Sequence, residues 1–257
     1  MARMHNRVAL ITGAGAGIGA ASARLFCLEG AAVTLVDSCA TALERAIADI
    51  RREVPQARLT SFVADVADPQ AAKQAVGLCV KTFGGLSALV CNAAMRNYSP
   101  IADASPEEWD AVLRVNLLGA AHYARAALGA LRVAEHPSIV LVSSCYAVVG
   151  RKNMGLYDAT KAALLALTRT LACEEASHGV RANAVCPGST LTEFHLERAR
   201  VAGKNLEQLK AERNTTSLIG RWATPQEIAY PILWLSSSEA SFVTGATLMV
   251  DGGLSIL

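Results

Sequence analysis

The segment Val8-Ala-Leu-Ile-Thr-Gly-Ala-Gly-Ala-Gly-Ile-Gly-Ala20 joins an aliphatic run to a helical pattern through a glycine-rich turn. Glycine permits a tight turn, lets backbone N–H groups approach a pyrophosphate and allows a helix to pack closely on a strand. The free N–H groups at the start of the helix favour an anion at the same place. This order of strand, turn and helix predicts a dinucleotide-binding site at the beginning of a Rossmann-type fold.

The glycine spacing admits two registers for this site. Gly15-x-Gly17-x-x-Ala20 fits the general dinucleotide fingerprint, whereas Gly13-x-x-x-Gly17-x-Gly19 follows a different spacing. Glycine-rich turns also occur without a ligand, so neither pattern decides the matter alone.

Asp37 ends the second predicted strand, 18 residues after Gly19. A carboxylate at this point can accept hydrogen bonds from the adenosine ribose of NAD, and it would repel the 2′-phosphate of NADP. No Arg or Lys lies within residues 13–19 or directly after Asp37 to offset that repulsion. The sequence therefore favours NAD, with capping of the following helix as the alternative role for Asp37.

Short aliphatic runs alternate with longer segments of helical period along the whole chain. The predicted strands cover residues 8–12, 32–36, 59–63, 88–91, 139–143, 181–185 and 247–250, and the predicted helices cover residues 17–29, 40–53, 69–83, 106–133, 155–177 and 225–235. This alternation predicts an α/β fold, with one doubly wound domain over residues 1–257 and a seven-stranded parallel sheet flanked by helices. Residues 191–217 are irregular and polar, so we expect a substrate lid at about residues 189–217.

The composition narrows the class of protein. Of the 257 residues, 52% are apolar and 18% charged, which excludes a disordered chain. A net charge of +2 without a basic run argues against nucleic-acid binding. The seven cysteines are widely spaced and form no CxxC pair, so neither a metal site nor a disulfide framework is predicted. Because neither a signal-peptide pattern nor a long uncharged apolar stretch is found, we expect a cytoplasmic protein without a membrane span.

Tyr157 and Lys161 are spaced i, i+4 in a predicted helix and share one face of it. A phenol with a pKa of about 10 is a poor base at neutral pH, but a neighbouring ammonium group and a nicotinamide cation both favour the phenolate. Such a Tyr could exchange a proton with an alcohol or carbonyl oxygen. Ser144 follows the strand predicted at 139–143, where its hydroxyl could hold the substrate oxygen. Each feature alone also has an ordinary structural interpretation, a packed Tyr beside a solvated Lys and a turn-forming Ser.

With these motifs in order, the chain resembles the short-chain dehydrogenases/reductases in their ordinary branch. The resemblance runs from Val8 to Gly253 and selects the register Gly13-x-x-x-Gly17-x-Gly19. It implies that Tyr157 is the general acid/base and that Ser144 orients the substrate. Lys161 would bind the nicotinamide ribose and lower the pKa of Tyr157, and Asn116 would hold a water that links Lys161 to solvent.

The resemblance also implies a cofactor site and an assembly. The implied cofactor-binding residues are Gly13, Ala16, Gly17, Ile18, Gly19, Asp37, Asp65, Val66, Asn92, Ala93, Ala94, Tyr157, Lys161, Pro187, Gly188, Thr190 and Thr192. Members of the family are usually oligomers, commonly homotetramers, so a homo-oligomer is expected.

Three positions depart from the usual pattern of the family. Cys91 and Ala94 replace the first Asn and the Gly of an Asn-Asn-Ala-Gly motif, which should affect packing under the cofactor more than chemistry. Thr160 replaces a frequent Ser. The enoyl-reductase branch spaces its Tyr and Lys more widely than Tyr157 and Lys161, which argues against that reaction.

The loops near residues 95–98, 145–156 and 189–217 are polar and basic, and we expect them to select the substrate. The candidate substrate residues are Arg96, Tyr146, Arg151, Asn153 and His195. The expected reaction is NAD-dependent hydride transfer between the nicotinamide and a secondary alcohol or ketone, with a polyol, sugar or hydroxy acid as substrate. The same charges could instead belong to a solvated rim or subunit contacts. Two other functions remain open: a 3-oxoacyl or 3-hydroxyacyl thioester reductase or dehydrogenase on the same scaffold, and a non-catalytic dinucleotide-binding regulator.

Overall fold

Seven parallel strands form one sheet in the computed structural model, which describes residues 2–213 and 216–257. The strands are β1 (Val8–Thr12), β2 (Ala32–Asp37), β3 (Leu59–Val63), β4 (Ala88–Cys91), β5 (Ser138–Val142), β6 (Arg181–Pro187) and β7 (Thr247–Val250). Their order across the sheet is β3-β2-β1-β4-β5-β6-β7. The chain changes direction across the sheet between β1 and β4, the kind of switch point beside which ligands bind in open α/β sheets. The predicted doubly wound, seven-stranded fold is confirmed.

Helices cover both faces of the sheet. They are α1 (Gly17–Leu28), α2 (Ala40–Glu53), α3 (Pro69–Phe83), α4 (Pro106–Leu113), α5 (Gly119–Leu131), α6 (Gly155–Glu174), α7 (Glu193–Val201), α8 (Leu206–Ala211) and α9 (Pro225–Ser236). Successive strand residues point to opposite faces, so Ile11 belongs to the core under α1, α2 and α9, and Leu10 to the core under α3, α5 and α6. In the described ranges, no helix is both long enough and apolar enough to cross a membrane.

The single helix predicted over residues 106–133 is interrupted. A π-helical turn at Arg114–Leu118 separates α4 from α5. Such a turn accommodates one extra residue and is frequent at functional sites. Here it contains Asn116, whose side chain is buried and bonded to the loop after β4.

The segment predicted as an irregular lid contains two short helices, α7 and α8. A capping box between Asn205 and Gln208 starts α8. Its Leu209 is buried, and the Leu209 carbonyl accepts a hydrogen bond of 2.9 Å from the indole of Trp222. Local capping and one buried contact therefore give this polar segment a regular structure. Residues 214 and 215 of the predicted lid lie outside the described residues.

Candidate active site

A cavity of about 570 Å³ opens at the carboxyl ends of β1, β4, β5 and β6. Most of the predicted site residues line it: Gly13, Ala16, Gly17, Ile18, Asp37, Asn92, Ala93, Ala94, Arg96, Ser144, Tyr146, Arg151, Tyr157, Lys161, Pro187, Gly188, Thr190, Thr192 and His195. The predicted residues Gly19, Asp65, Val66, Asn116 and Asn153 do not belong to the lining.

The turn after β1 is shaped to receive an anion. Gly13 and Gly17 have left-handed backbone with φ of 63° and 54°, a conformation that favours glycine. A side chain at Gly19 would lie 2.0 Å from the Gly13 carbonyl oxygen, so Gly19 serves the close packing of α1 rather than the cavity surface. The Gly17 N–H already donates to a carboxylate oxygen of Glu193 at 3.0 Å. A bound pyrophosphate would suit the same N–H group, and a dinucleotide therefore fits this turn.

Asp37 lies at the end of β2 and faces the same turn. Its two carboxylate oxygens accept hydrogen bonds from the Gly15 N–H at 2.9 Å and the Cys39 N–H at 3.0 Å. The carboxylate is thereby held at the cavity wall, where it can accept a ribose hydroxyl. Its bond to Cys39 lies before α2, whose N-cap is Cys39 itself, so Asp37 does not cap this helix.

Asp65 and Val66 stand apart from the cavity. Asp65 is exposed, and its carboxylate accepts from the Ala67 N–H at 2.9 Å in its own turn. Val66 is buried against Gly119, where an added side chain would lie 2.9 Å from a Val66 methyl group. Within this structure both residues serve local packing and turn formation.

Asn92 ties the turn after β4 to the turn after β1. Its amide donates to the carbonyls of Thr12 at 3.1 Å and Gly13 at 2.9 Å. The Thr12 hydroxyl, which sequence reasoning did not assign to the site, accepts from the Asn92 N–H at 3.0 Å. Burial raises the pKa of the neighbouring Cys91 thiol to about 12, so this departure from the family pattern supplies a neutral packing group.

Tyr157 and Lys161 lie in the first turns of α6, and both are buried. The Lys161 Nζ donates to the Val142 carbonyl at 2.8 Å and lies 5.4 Å from the centre of the Tyr157 ring. Burial lowers the pKa of Lys161 to about 7. Burial also raises the pKa of Tyr157, and the charges of Arg96 and Arg151 oppose that rise. The cations that lower the pKa of Tyr157 here are thus two arginines, Arg96 and Arg151.

Ser144 follows β5 and lines the cavity beside Tyr157. Its Oγ accepts the Tyr146 N–H at 3.2 Å, which fixes the side chain at the start of a short 3₁₀ turn. The Ser144 hydroxyl acts to lower the pKa of Tyr157. The serine is therefore placed to share a substrate oxygen with the phenol.

Asn116 is bonded to α6 through Thr160. Its amide donates to the Met95 carbonyl and the Thr160 hydroxyl, each at 3.0 Å, and its oxygen accepts from the Met95 N–H at 2.8 Å. The Thr160 hydroxyl in turn donates to the Tyr157 carbonyl at 2.7 Å. Thr160, noted in the sequence only as a replacement, links Asn116 to the catalytic helix.

Four of the five candidate substrate residues line the same cavity as Tyr157. Arg96 and Arg151 lie with their guanidinium carbons 5.8 Å and 5.5 Å from the centre of its ring. Arg151 also lies over the Tyr146 ring, and His195 contacts Arg96. Asn153 is exposed and has a left-handed φ of 63°, so it forms a turn and does not reach the cavity. Sequence reasoning did not assign Phe194 and Arg213, which line the cavity as well.

Comparison with known proteins agrees with this geometry. A family model described as "Enoyl-(Acyl carrier protein) reductase" matches residues 13–255. The 2-(S)-hydroxypropyl-CoM dehydrogenase 3 of Xanthobacter autotrophicus is 36% identical over 255 residues, which cover 99% of both chains. The 3-oxoacyl-(acyl-carrier-protein) reductase of Thermotoga maritima is 34% identical over 257 residues, covering 99% of this chain and 100% of that protein. Among solved structures, the aldohexose dehydrogenase of Thermoplasma acidophilum superposes with a TM-score of 0.89 at 32% identity, covering 100% of this chain and 96% of that one.

Proposed function

Because the chain belongs to the short-chain dehydrogenase/reductase family, a family of oxidoreductases that act on CH–OH groups with a nicotinamide dinucleotide, we propose that it uses NAD to interconvert a hydrophilic secondary alcohol and its ketone. The observation that carries the proposal is the common cavity. It brings Tyr157, Ser144 and Lys161 to one end and the glycine turn with Asp37 to the other. A regulator that only binds a dinucleotide would not need the first group.

The residues of this chain divide the chemistry among them. NAD, when bound, would accept a hydride from the carbinol carbon, and the hydroxyl proton would leave as the carbonyl forms. Tyr157 receives that proton as general base in oxidation and returns it as general acid in reduction. Ser144 holds the same oxygen by a hydrogen bond. The charges of Arg96 and Arg151 act to lower the pKa of Tyr157, which favours the phenolate. By the family resemblance, Lys161 would bind the nicotinamide ribose.

The preference for NAD rests on Asp37. Its carboxylate is fixed by the Gly15 and Cys39 N–H groups, so it cannot turn away from a ribose at this wall without losing two hydrogen bonds. A 2′-phosphate there would meet a like charge. Among the described residues, the arginines that line the cavity are Arg96, Arg151 and Arg213. Arg96 and Arg151 lie beside Tyr157, at the opposite end of the cavity from Asp37, so they do not offset its charge.

The preference for a hydrophilic substrate rests on the other end of the cavity, where Arg96 and Arg151 lie beside Tyr157 and His195 contacts Arg96. A hydrophilic substrate can hydrogen-bond to these side chains as it displaces water from them, whereas an apolar ring would displace the water and offer no hydrogen bond in return. The aldohexose dehydrogenase acts on a substrate of this class, by its name.

A 3-oxoacyl or 3-hydroxyacyl thioester is the second candidate substrate, favoured by the likeness to the Thermotoga maritima reductase. A panel of substrates distinguishes the two candidate classes, hydrophilic alcohols and acyl thioesters. Polyols, sugars, hydroxy acids and 3-hydroxyacyl thioesters would be offered side by side with NAD and with NADP, and the absorbance of the reduced cofactor would be followed. We expect oxidation of the hydrophilic alcohols with NAD. Preference for the thioester would select the second candidate, and an equal or higher rate with NADP would refute the assignment of the cofactor.

We also propose a cytoplasmic homotetramer. All seven cysteines are free thiols, which suits a reducing compartment. Large apolar side chains stay exposed on the single chain, among them Val133 and Phe242, and could be covered by subunit contacts. Light scattering coupled to size-exclusion chromatography measures the assembly, and a monomer at working concentration would contradict it.

A further inference from the structure

Arg96 places a guanidinium group at the end of the cavity that holds Tyr157, Ser144 and Lys161, which we call the reaction end. It follows β4, is half-buried and lies with its Cζ 5.8 Å from the centre of the Tyr157 ring and 5.0 Å from that of Phe194. Its Nη1 lies 3.0 Å from Nε2 of His195. The charge is therefore held beside the general acid/base.

The partner that holds Arg96 is a neutral group. A guanidinium has only donors, so His195 Nε2 must accept and its proton must sit on Nδ1. Nδ1 lies 3.0 Å from the Thr192 hydroxyl, to which it donates. Burial and the charges of Arg96, Arg213 and Arg198 lower the pKa of His195 to about 4, so the imidazole is uncharged at neutral pH. The contact fixes Arg96 and leaves its positive charge uncompensated.

Arg151, on another side of the same phenol, shows the contrast. The two oxygens of Asp158 accept hydrogen bonds from it at 2.8 Å and 3.1 Å, so its charge is already paired with a carboxylate. No Asp or Glu among residues 2–213 and 216–257 lies within 4.0 Å of the Arg96 nitrogens. Of the two arginines beside Tyr157, Arg96 is therefore the one without a carboxylate partner among the described residues.

The acids of the cavity lie at its other end. Asp37 and Glu193 line it, and their carboxylates are bonded to the Gly15 and Gly17 N–H groups of the dinucleotide turn. At the reaction end, Arg213 adds a second cation, with its Cζ 4.4 Å from the centre of the Trp222 ring. In the part of the chain that the structure describes, the two carboxylates of the lining are thus bonded to the dinucleotide turn, and the cavity offers an incoming substrate the positive charge of Arg96.

We propose that Arg96 binds an anionic group of the substrate, so that the alcohol oxidised at Tyr157 carries a carboxylate, sulfonate or phosphate a few bonds from its carbinol carbon. This inference rests on the proposed function and narrows its substrate class from hydrophilic alcohols to hydroxy acids. An oxyanion would make charge-assisted hydrogen bonds to the guanidinium, which a neutral polyol cannot match. The anion would also orient the carbinol toward Ser144 and Tyr157, because it fixes a second point of the molecule.

Kinetics on matched substrates test the proposal. 3-Hydroxybutyrate and 2-hydroxypropanesulfonate would be compared with the neutral 3-hydroxybutyramide and 2-butanol, using the wild type, Arg96→Gln and Arg96→Lys. We expect Arg96→Gln to lower kcat/KM by about 10- to 100-fold more for the anionic alcohols than for the neutral alcohols, mainly through KM. The loss of the Arg96 charge beside Tyr157 acts on both sets of alcohols alike and cancels in this comparison. Arg96→Lys should recover part of the loss, since it keeps the charge. Arg200→Gln is the matched control, because it removes one exposed positive charge from α7 outside the cavity. An equal loss for anionic and neutral alcohols would overturn the proposal.

A binding measurement separates this proposal from the proposed function. Saturation-transfer NMR detects contact of 3-hydroxybutyrate and 2-hydroxypropanesulfonate with the protein without any turnover. We expect signals with the wild type that are lost in Arg96→Gln and kept in Arg200→Gln. If these signals appear but no alcohol is oxidised, the anion site stands and the proposed reaction fails. If the wild type gives no saturation-transfer signals, or if Arg96→Gln gives the same signals as the wild type, the proposed anion site is refuted even if the enzyme oxidises neutral alcohols.

Discussion

The Glu193 carboxylate accepts a hydrogen bond of 3.0 Å from the Gly17 N–H at the first turn of α1. A helix N-terminus attracts anions, and this N–H is the one expected to meet the cofactor pyrophosphate. The carboxylate and the pyrophosphate therefore compete for one donor and repel each other.

Replacing Glu193 with Gln should strengthen NAD binding. The amide removes the negative charge and cannot hold the N–H as strongly, so we expect the Kd for NAD to fall by about 2- to 5-fold, the size of a charge effect at a helix end. Isothermal titration calorimetry measures this. Glu197→Gln removes the same charge from α7 at an exposed position outside the cavity and should leave the Kd unchanged. Unchanged or weaker binding by Glu193→Gln would contradict the competition.

Tyr157→Phe should abolish turnover while NAD still binds. The substitution removes the hydroxyl that exchanges the proton and keeps the buried ring, so the expected loss in kcat is about 10²- to 10⁴-fold. Cofactor titration by the fluorescence of NADH reports binding separately. Tyr230→Phe, at an exposed position on α9, serves as control. Activity that persisted in Tyr157→Phe would show that another group carries the proton.

Asp37→Asn tests the choice of cofactor. The amide oxygen can still accept from the Gly15 N–H, so the turn should stay in place while the charge is lost. We expect the ratio of kcat/KM for NAD over NADP to fall by about 10- to 100-fold, the range for a hydrogen bond to a charged group together with relief of repulsion. Steady-state kinetics with both cofactors give the ratio, with Asp49→Asn on the exposed face of α2 as control. A ratio that did not move would place the discrimination elsewhere.

The fold and the two ends of the cavity could be predicted from sequence because their signals are local. The run before Gly13, the glycine turn, and the i, i+4 spacing of Tyr157 and Lys161 each lie within one element and its neighbour. The family resemblance then identifies these local motifs as parts of one cofactor site and one catalytic site.

The contacts that set the chemistry could not be predicted in the same way. Arg96 and His195 are 99 residues apart, and Gly17 and Glu193 are 176 apart, so only the folded chain brings them together. Asn153 was expected at the substrate from its loop alone, but the left-handed turn at this residue directs it to solvent. The π-helical turn at Arg114–Leu118 inserts within a continuous helical pattern, which apolar periodicity does not register.

The buried Lys161 should make the stability of the cofactor-free protein depend on pH. Burial lowers its pKa from 10.5 to about 7, so the folded protein releases the proton near pH 7 while the unfolded chain keeps it to much higher pH. Above about pH 7 the unfolded state binds more protons, and the free energy of unfolding rises with pH. Below about pH 7, Lys161 is protonated in both the folded and the unfolded state, so it adds no increase of the free energy of unfolding with pH. In Lys161→Met, the methionine side chain has a similar volume and cannot titrate. The pH dependence that comes from all other groups is therefore the same in the variant and the wild type, and it cancels in the difference between them.

We expect the free energy of unfolding of the wild type, minus that of Lys161→Met, to increase from about pH 7 to pH 9 by up to about 1.4 kcal/mol per pH unit. Urea unfolding at several pH values, followed by circular dichroism, measures the difference. Lys152→Met provides the control, because it removes an exposed lysine in place of the buried one. A difference that stays flat, or that falls with rising pH, would mean that Lys161 remains charged inside the folded protein, with its ammonium group stabilised well beyond the single bond to the Val142 carbonyl.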